Sequence, residues 1–591
     1  MTDNPLDSYR VAAIQFEPLL GAKAENIARL LALVETAAQN GARLIVLPEM
    51  ATTGYCWHSR DEVRPHVEPI SGPTTDAFAA LAARHGCYVV VGMPEVAPRS
   101  NIFYNSAALI GPDGLVGVYR KTHSFVSELK WAKDGDLGLP VWDTPLGRIG
   151  IMICMDAGYF EPARLLALAG ADVLCFPTNW LGEKSPSPAW SARAFENGCY
   201  LIAANRYGLE RGVQFSGGSC VLGPDGVAQA SRDSGDGIVY GEMSLAAARA
   251  RSFTPGGPPE KLAARRPALY DTLTLNRYLW EPMEMHGLYS HRPLPLGRRS
   301  RVAVTQFTPT PGDPAANLAQ IERALANVRG SDANTHVDLV VFPEYALTGV
   351  PGEGQAVALQ SGDVLAWHER LVTVAQRFGL LIAAGYAERS GDRTFSSLAL
   401  VGRAGVAACY RKTHVVGEER AWCASGDDKP PVVDLPLGRV GLLVGTDLCF
   451  PELPRHLSVE GCDLIVVAAG PSLPPPIASP STVVLLDPPG LRTADACYIH
   501  LARQRASEND SYVAIASLPA PHGIGCSGVF GPDREGETVL GPGETGTATR
   551  AINTAHVDTP YPSLAAVRAK MLVRMRQPYL YEPLQVAAAE T

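Results

Sequence analysis

The stretch LGRIGIMICMDAGYFEP, residues 146–162, recurs as LGRVGLLVGTDLCFPE at residues 437–452. In the first copy an apolar strand, Ile149–Ile153, delivers Cys154 to a sharp turn, and a helix is predicted from about Glu161. A short, fully apolar strand that runs into a helix belongs to a sheet whose faces are covered by helices. In the second copy Gly445 stands opposite Cys154, and Asp447 opposite Asp156.

The repetition extends outward on both sides. YRVAAIQF (9–16) matches SRVAVTQF (300–307), and LIVLPE (44–49) matches LVVFPE (339–344). YRKTH occurs identically at 119–123 and 410–414, and GPD at 223–225 and 531–533. Conserved order and spacing over half the chain mark a tandem duplication. Between the copies MHGLYSHRPLPLGRR (285–299) is rich in Pro, Gly and Arg and has no apolar period, which reads as a linker. The expected modules are therefore residues 1–284 and 300–591. Within the first, apolar runs at Leu44–Leu47 and Tyr88–Val91 alternate with helical stretches at 24–40 and 74–85.

The composition is that of an ordinary globular chain, 46% hydrophobic and 19% charged over 591 residues. The net charge of -9 argues against a nucleic-acid backbone or an anionic membrane as partner. MTDNPLDSYR lacks the apolar core of a signal peptide, and no apolar run reaches the ~18 residues of a spanning helix. The 12 cysteines form no CxxC pair and no Cys/His cluster at zinc spacing, so neither a metal nor another cofactor is expected. Scattered cysteines in apolar runs fit buried thiols of a cytoplasmic protein.

Three residues with chemistry to offer stand at strand ends: Glu49 after LIVLP, Lys121 after LVGVY, and Cys154. Strand ends in such sheets carry site residues. A cysteine on a strand-to-helix elbow is exposed and close to backbone N–H groups that favour the thiolate. The motifs LPEMATTGY (47–55), YRKTH (119–123) and GIMICMDAGYFEP (150–162), in that order, resemble the nitrilase (carbon–nitrogen hydrolase) superfamily. The resemblance covers nearly the whole chain, twice. It implies αββα sandwiches and hydrolysis of a non-peptide C–N bond. It casts Cys154 as nucleophile, Glu49 as general base and Lys121 as the cation that stabilises the oxyanion. Glu128, seven residues after the lysine, fills the place of a second glutamate that orients substrate or water. The roles agree with elementary chemistry, since a thiol needs a base and a developing oxyanion needs fixed donors.

The backbone N–H of Met155 is a candidate second oxyanion donor. Asn179 and Trp180, after the strand VLCFP, are candidates for the pocket wall. Asp156, two residues past the cysteine, matches the amidase-type members of the family, so the resemblance implies an amide rather than a nitrile. His123 and His414 read as structural, and Glu196 and Glu508 as helix anchors.

The second copy keeps Glu344, Lys412 and Glu419 but has no nucleophile at Gly445. Cys449 lies too far along for near-attack geometry and reads as a packing thiol. A Pro-rich insertion, PSLPPPIASPS (471–481) and DPPG (487–490), lengthens this copy near its pocket mouth. Members of the family commonly pair as homodimers, so the resemblance implies that the fused copies form an internal pseudo-dimer, with further homo-oligomers open. The expected function is hydrolysis of a small amide or ureido (N-carbamoyl) compound with water through a cysteine thioester, releasing ammonia. A nitrile substrate is the alternative within enzymes. A non-catalytic binding or regulatory pseudo-enzyme is the alternative outside them.

Overall fold

The computed structural model describes residues 7–181, 185–253, 256–275, 293–328, 336–351, 358–471, 483–484, 492–493, 500–532, 538–555 and 567–587. The chain forms two compact units, and the boundary between them falls at Ser252/Phe253.

The first unit is built from β1 (Ser8–Gln15), β2 (Ala42–Val46), β3 (Tyr88–Ala97), β4 (Ile102–Gly111), β5 (Gly114–Arg120), β6 (Val141–Thr144), β7 (Gly147–Ile151), β8 (Val173–Thr178), β9 (Tyr200–Asn205), β10 (Tyr207–Glu210), β11 (Val213–Ser216), β12 (Ser219–Leu222), β13 (Ala228–Arg232) and β14 (Gly237–Ser244). One sheet has the order β14-β1-β2-β3-β4-β5 and the other β13-β12-β9-β8-β7-β6. Strands β1, β2 and β3 run parallel, as do β7, β8 and β9. The expected αββα sandwich is what forms. Val11, Leu44, Val46 and Leu109 of one sheet pack on Ile149, Ile151, Val173 and Ile202 of the other. The helices Lys23–Gln39 and Pro73–His85 cover the outer face of the first sheet through Leu30, Val34, Phe78 and Leu81. The helices Phe160–Leu168 and Pro188–Asn197 belong to the second sheet and are buried at every residue but Leu168. Glu196 pairs with Arg193 inside the second of them.

The second unit repeats the plan. Its sheets are led by Arg299–Gln306 and Leu339–Val341 on one side and Gly438–Val444, Leu464–Ala468 and Tyr512–Ala516 on the other. Val302, Val341, Val440, Val466 and Ala514 share one core.

The packing boundary lies upstream of the linker expected at 285–299. Residues 256–275 pack within the second unit. Arg265 Nε donates to Glu452 Oε1 at 2.7 Å, with both groups buried. Tyr270 Oη meets His414 Nε2 at 2.7 Å, and Thr272 Oγ1 meets His456 Nδ1 at 2.7 Å. These partners are side chains of the second core, so sequence continuity with the first module does not decide where the segment packs. Residues 276–292, which include 285–292 of the linker, and most of the Pro-rich insertion lie outside the described residues. Among the described residues no helix is long and apolar enough to cross a membrane.

Candidate active site

Glu49 follows β2 through Leu47 and Pro48. Its backbone lies directly against β3, where a Cβ on Gly92 would sit 2.3 Å from the Pro48 carbonyl oxygen and 2.8 Å from Glu49 Cα. Only glycine admits that approach. Met50 then takes a left-handed φ of +51° and turns the chain away. Lys121 follows β5, with its backbone N–H held by the Asn105 carbonyl at 2.9 Å. Cys154 follows β7 at a left-handed φ of +43°, opening a 3-10 turn over Cys154–Gly158. A non-glycine residue held there is strained, and such strain concentrates at functional positions.

These loops bring the side chains together. Lys121 Nζ donates to Glu49 Oε1 at 2.9 Å and to Glu128 Oε1. Tyr55 Oη donates to the same Glu128 oxygen at 2.7 Å. Glu49 and Glu128 are fully buried and Lys121 is 1% exposed, whereas Cys154 is 8% exposed. Cys154 is thus the least buried member of the group, yet it is buried rather than exposed as its elbow position suggests. Glu49 Oε2 and Glu128 Oε2 are buried without a hydrogen-bond partner among the described residues. They are free to take N–H or S–H donors.

The electrostatics follow from burial and pairing. Burial pushes the Cys154 thiol up, the Glu49 carboxylate pushes it further, and Lys121 pulls it down. The resting nucleophile is therefore a thiol that needs a base. Burial works against the Lys121 ammonium, but Glu128 and Glu49 outweigh it and hold it charged. Burial raises the Glu128 carboxyl to about 7 against the pull of Lys121.

Around this group lie residues that the sequence motifs did not single out. Asn105, on β4, donates Nδ2 to Glu49 Oε1 at 2.7 Å. A buried Asn in the otherwise apolar run IFYNSAALIG was the available signal. Asp156 is fully buried. It accepts from Tyr119 Oη at 2.7 Å, Thr122 Oγ1 at 3.1 Å, the His123 N–H at 3.1 Å and the Ile153 N–H at 2.9 Å, and it contacts His123 Nδ1 at 3.0 Å. Burial opposes its ionisation, but His123, Tyr119 and the Ile153 N–H outweigh burial and keep its pKa low. Asp156 thereby ties the lysine loop to the cysteine elbow. Every one of these contacts is internal to the module.

Met155 is the second residue of the 3-10 turn, where an N–H has no acceptor within the turn. The backbone N–H of Asn179 favours the Cys154 thiolate. Trp180 is half-buried, and its ring stands edge-on to Phe176 at 6.3 Å and Trp190 at 5.7 Å.

The second unit reproduces the frame without the sulfur. Lys412 Nζ lies 3.2 Å from Glu344 Oε1 and 2.6 Å from Glu419 Oε2, and Tyr345 Oη donates to Glu419 at 2.8 Å. Ser396 replaces Asn105 as donor to Glu344. Gly445 keeps the left-handed φ, at +50°. A Cβ there would lie 2.8 Å from both Glu344 Oε2 and Lys412 Nζ, so the charged groups have closed over the place of the nucleophile. Cys449 is buried, its thiol pushed up to about 12 by burial.

A family model described as carbon-nitrogen hydrolase matches residues 10–252 and 301–559. The chain is similar to a nitrilase of Pyrococcus abyssi, 39% identical over 36% of this chain and 81% of that protein. It is similar to a citrullinase of Francisella tularensis subsp. tularensis, 31% identical over 42% of this chain and 93% of that protein. It is also similar to an N-carbamoylputrescine amidase of Solanum lycopersicum, 31% identical over 44% of this chain and 94% of that protein. The two matched stretches coincide with the two copies read from the sequence, and the chain belongs to the carbon-nitrogen hydrolase family, two of whose modules it carries in tandem.

Proposed function

We propose that the first module hydrolyses a small amide or N-carbamoyl compound through a thioester on Cys154, with release of ammonia. The observation that carries this is Cys154 at a left-handed turn beside the buried Glu49–Lys121–Glu128 group. Glu49 takes the thiol proton through its unpartnered Oε2 as sulfur attacks the carbonyl carbon. Lys121 and the Met155 N–H stabilise the oxyanion. The proton passes to the leaving nitrogen, ammonia departs, and Glu49 then activates water against the thioester. Glu128 holds the leaving amine or the water. Asn179 and Trp180 line the pocket.

A nitrile substrate is the second reading, favoured by the nitrilase that is 39% identical over its matched region. In the second module Glu344, Lys412, Glu419 and Gly445 form a site without a nucleophile, which carries no chemistry. The test is ammonia release from paired amides, ureido compounds and nitriles. Turnover of an amide or ureido compound that disappears in Cys154→Ala supports the reading. Turnover confined to nitriles, or kept by Cys154→Ala, contradicts it.

A further inference from the structure

Asn179 is 1% exposed, and neither its Nδ2 nor its Oδ1 has a hydrogen-bond partner among the described residues. It follows β8, and its own backbone N–H serves the Cys154 thiolate, so its amide stands beside the reacting sulfur. The duplicate shows what stands opposite the Cβ of this position. Gly470 holds the matching place after Leu464–Ala468, and a Cβ there would lie 2.5 Å from Glu344 Oε2, the counterpart of the unpartnered Glu49 oxygen. The second module has thus lost this amide together with the nucleophile.

We infer that the Asn179 side chain recognises the second nitrogen of a ureido group, making N-carbamoyl compounds the preferred substrate class. The inference rests on the hydrolysis proposed above. A primary amide spends all its polar atoms on the reacting group: its oxygen on Lys121 and the backbone donors, its NH2 on the free oxygens of Glu49 and Glu128. That leaves a buried amide unmatched at Asn179, which is costly. A ureido compound brings one more N–H, a single bond from the attacked carbon, to donate to Asn179 Oδ1. An alkyl amide has a CH2 at that place. A nitrile offers no N–H at all. A site built to bond a substrate N–H discriminates against the analogue that lacks it.

The test compares butylurea with hexanamide, which differ by NH against CH2, in the full-length protein. Asn179→Ala is expected to lower kcat/KM for butylurea by about 10–100-fold relative to its effect on hexanamide. Asn179→Ser serves as a second variant if the first does not fold. Equal losses on both substrates, or no loss on either, overturn the assignment. Wild-type turnover of hexanamide without butylurea also overturns it while leaving amide hydrolysis standing. Turnover of neither contradicts the reading on which it rests.

Discussion

Asn105 Nδ2 holds Glu49 Oε1 at 2.7 Å, on the same carboxylate oxygen that receives Lys121 Nζ at 2.9 Å. Both anchors fall on one oxygen, and Oε2 is left without a partner. The carboxylate is fixed in rotation with its free oxygen available to the thiol. Asn105→Ala should release that rotation. A loss in kcat of about 10–100-fold is expected from misplacement of the base, with KM changed far less. Steady-state kinetics check it. A fall in KM alone, or no effect, would contradict the positioning role.

Glu128 supplies a pH-dependent prediction. Its folded pKa of about 7 lies above the ordinary carboxylate value because it is buried. The folded state therefore binds more protons than the unfolded one between about pH 4.3 and 7. Stability from this group is present at low pH and is lost as pH rises through 7. Wild type should lose apparent Tm relative to Glu128→Gln on going from pH 5 to pH 8. The wild-type Tm minus that of Glu128→Gln, measured by calorimetry, should fall between pH 5 and pH 8; a difference that stays constant or rises would show that the carboxyl is not raised.

Gly445 predicts a failed revival. Restoring sulfur by Gly445→Cys in a Cys154→Ala background puts a Cβ within 2.8 Å of Glu344 Oε2 and Lys412 Nζ, at a left-handed φ of +50°. No ammonia release is expected, together with a loss of about 1–2 kcal/mol for the left-handed backbone. Activity in that double variant would show that the second site retains room for a nucleophile.

Arg265 tests the packing of residues 256–275 in the second unit. Its partner Glu452 is fully buried, so Arg265→Ala removes a buried cation from that carboxylate. The expected cost is about 3–5 kcal/mol, read as faster hydrogen exchange in the helix Glu452–Val459 of the full-length protein. Unchanged protection would contradict the assignment of this segment to the second core.

The sequence made the sandwich and its duplication legible, because Leu44–Leu47, Ile149–Ile153 and Val173–Pro177 are unbroken apolar runs that lead to Glu49, Cys154 and Thr178. Glu49, Lys121 and Cys154 stand out for the same reason. Asn105 does not, because its approach to Glu49 depends on the antiparallel register that sets Asn105 against Pro94. Such register is fixed by contacts distant in sequence. Asp156 shows the same limit. Its place two residues after Cys154 does not reveal its partners, because Tyr119, Thr122 and His123 lie far away in sequence. The segment 256–275 reads as the tail of the first module, and only the buried partners Glu452, His414 and His456 reveal which core receives it.

The central claim is that Cys154 carries the acyl or carbamoyl group. Its most direct test is mass spectrometry of the full-length protein quenched during turnover of an amide or ureido substrate. The account predicts a substrate-derived mass on the peptide containing Cys154, absent in Cys154→Ala and unaffected by Cys449→Ala. The adduct on Cys449, or turnover without an adduct that persists in Cys154→Ala, would contradict it.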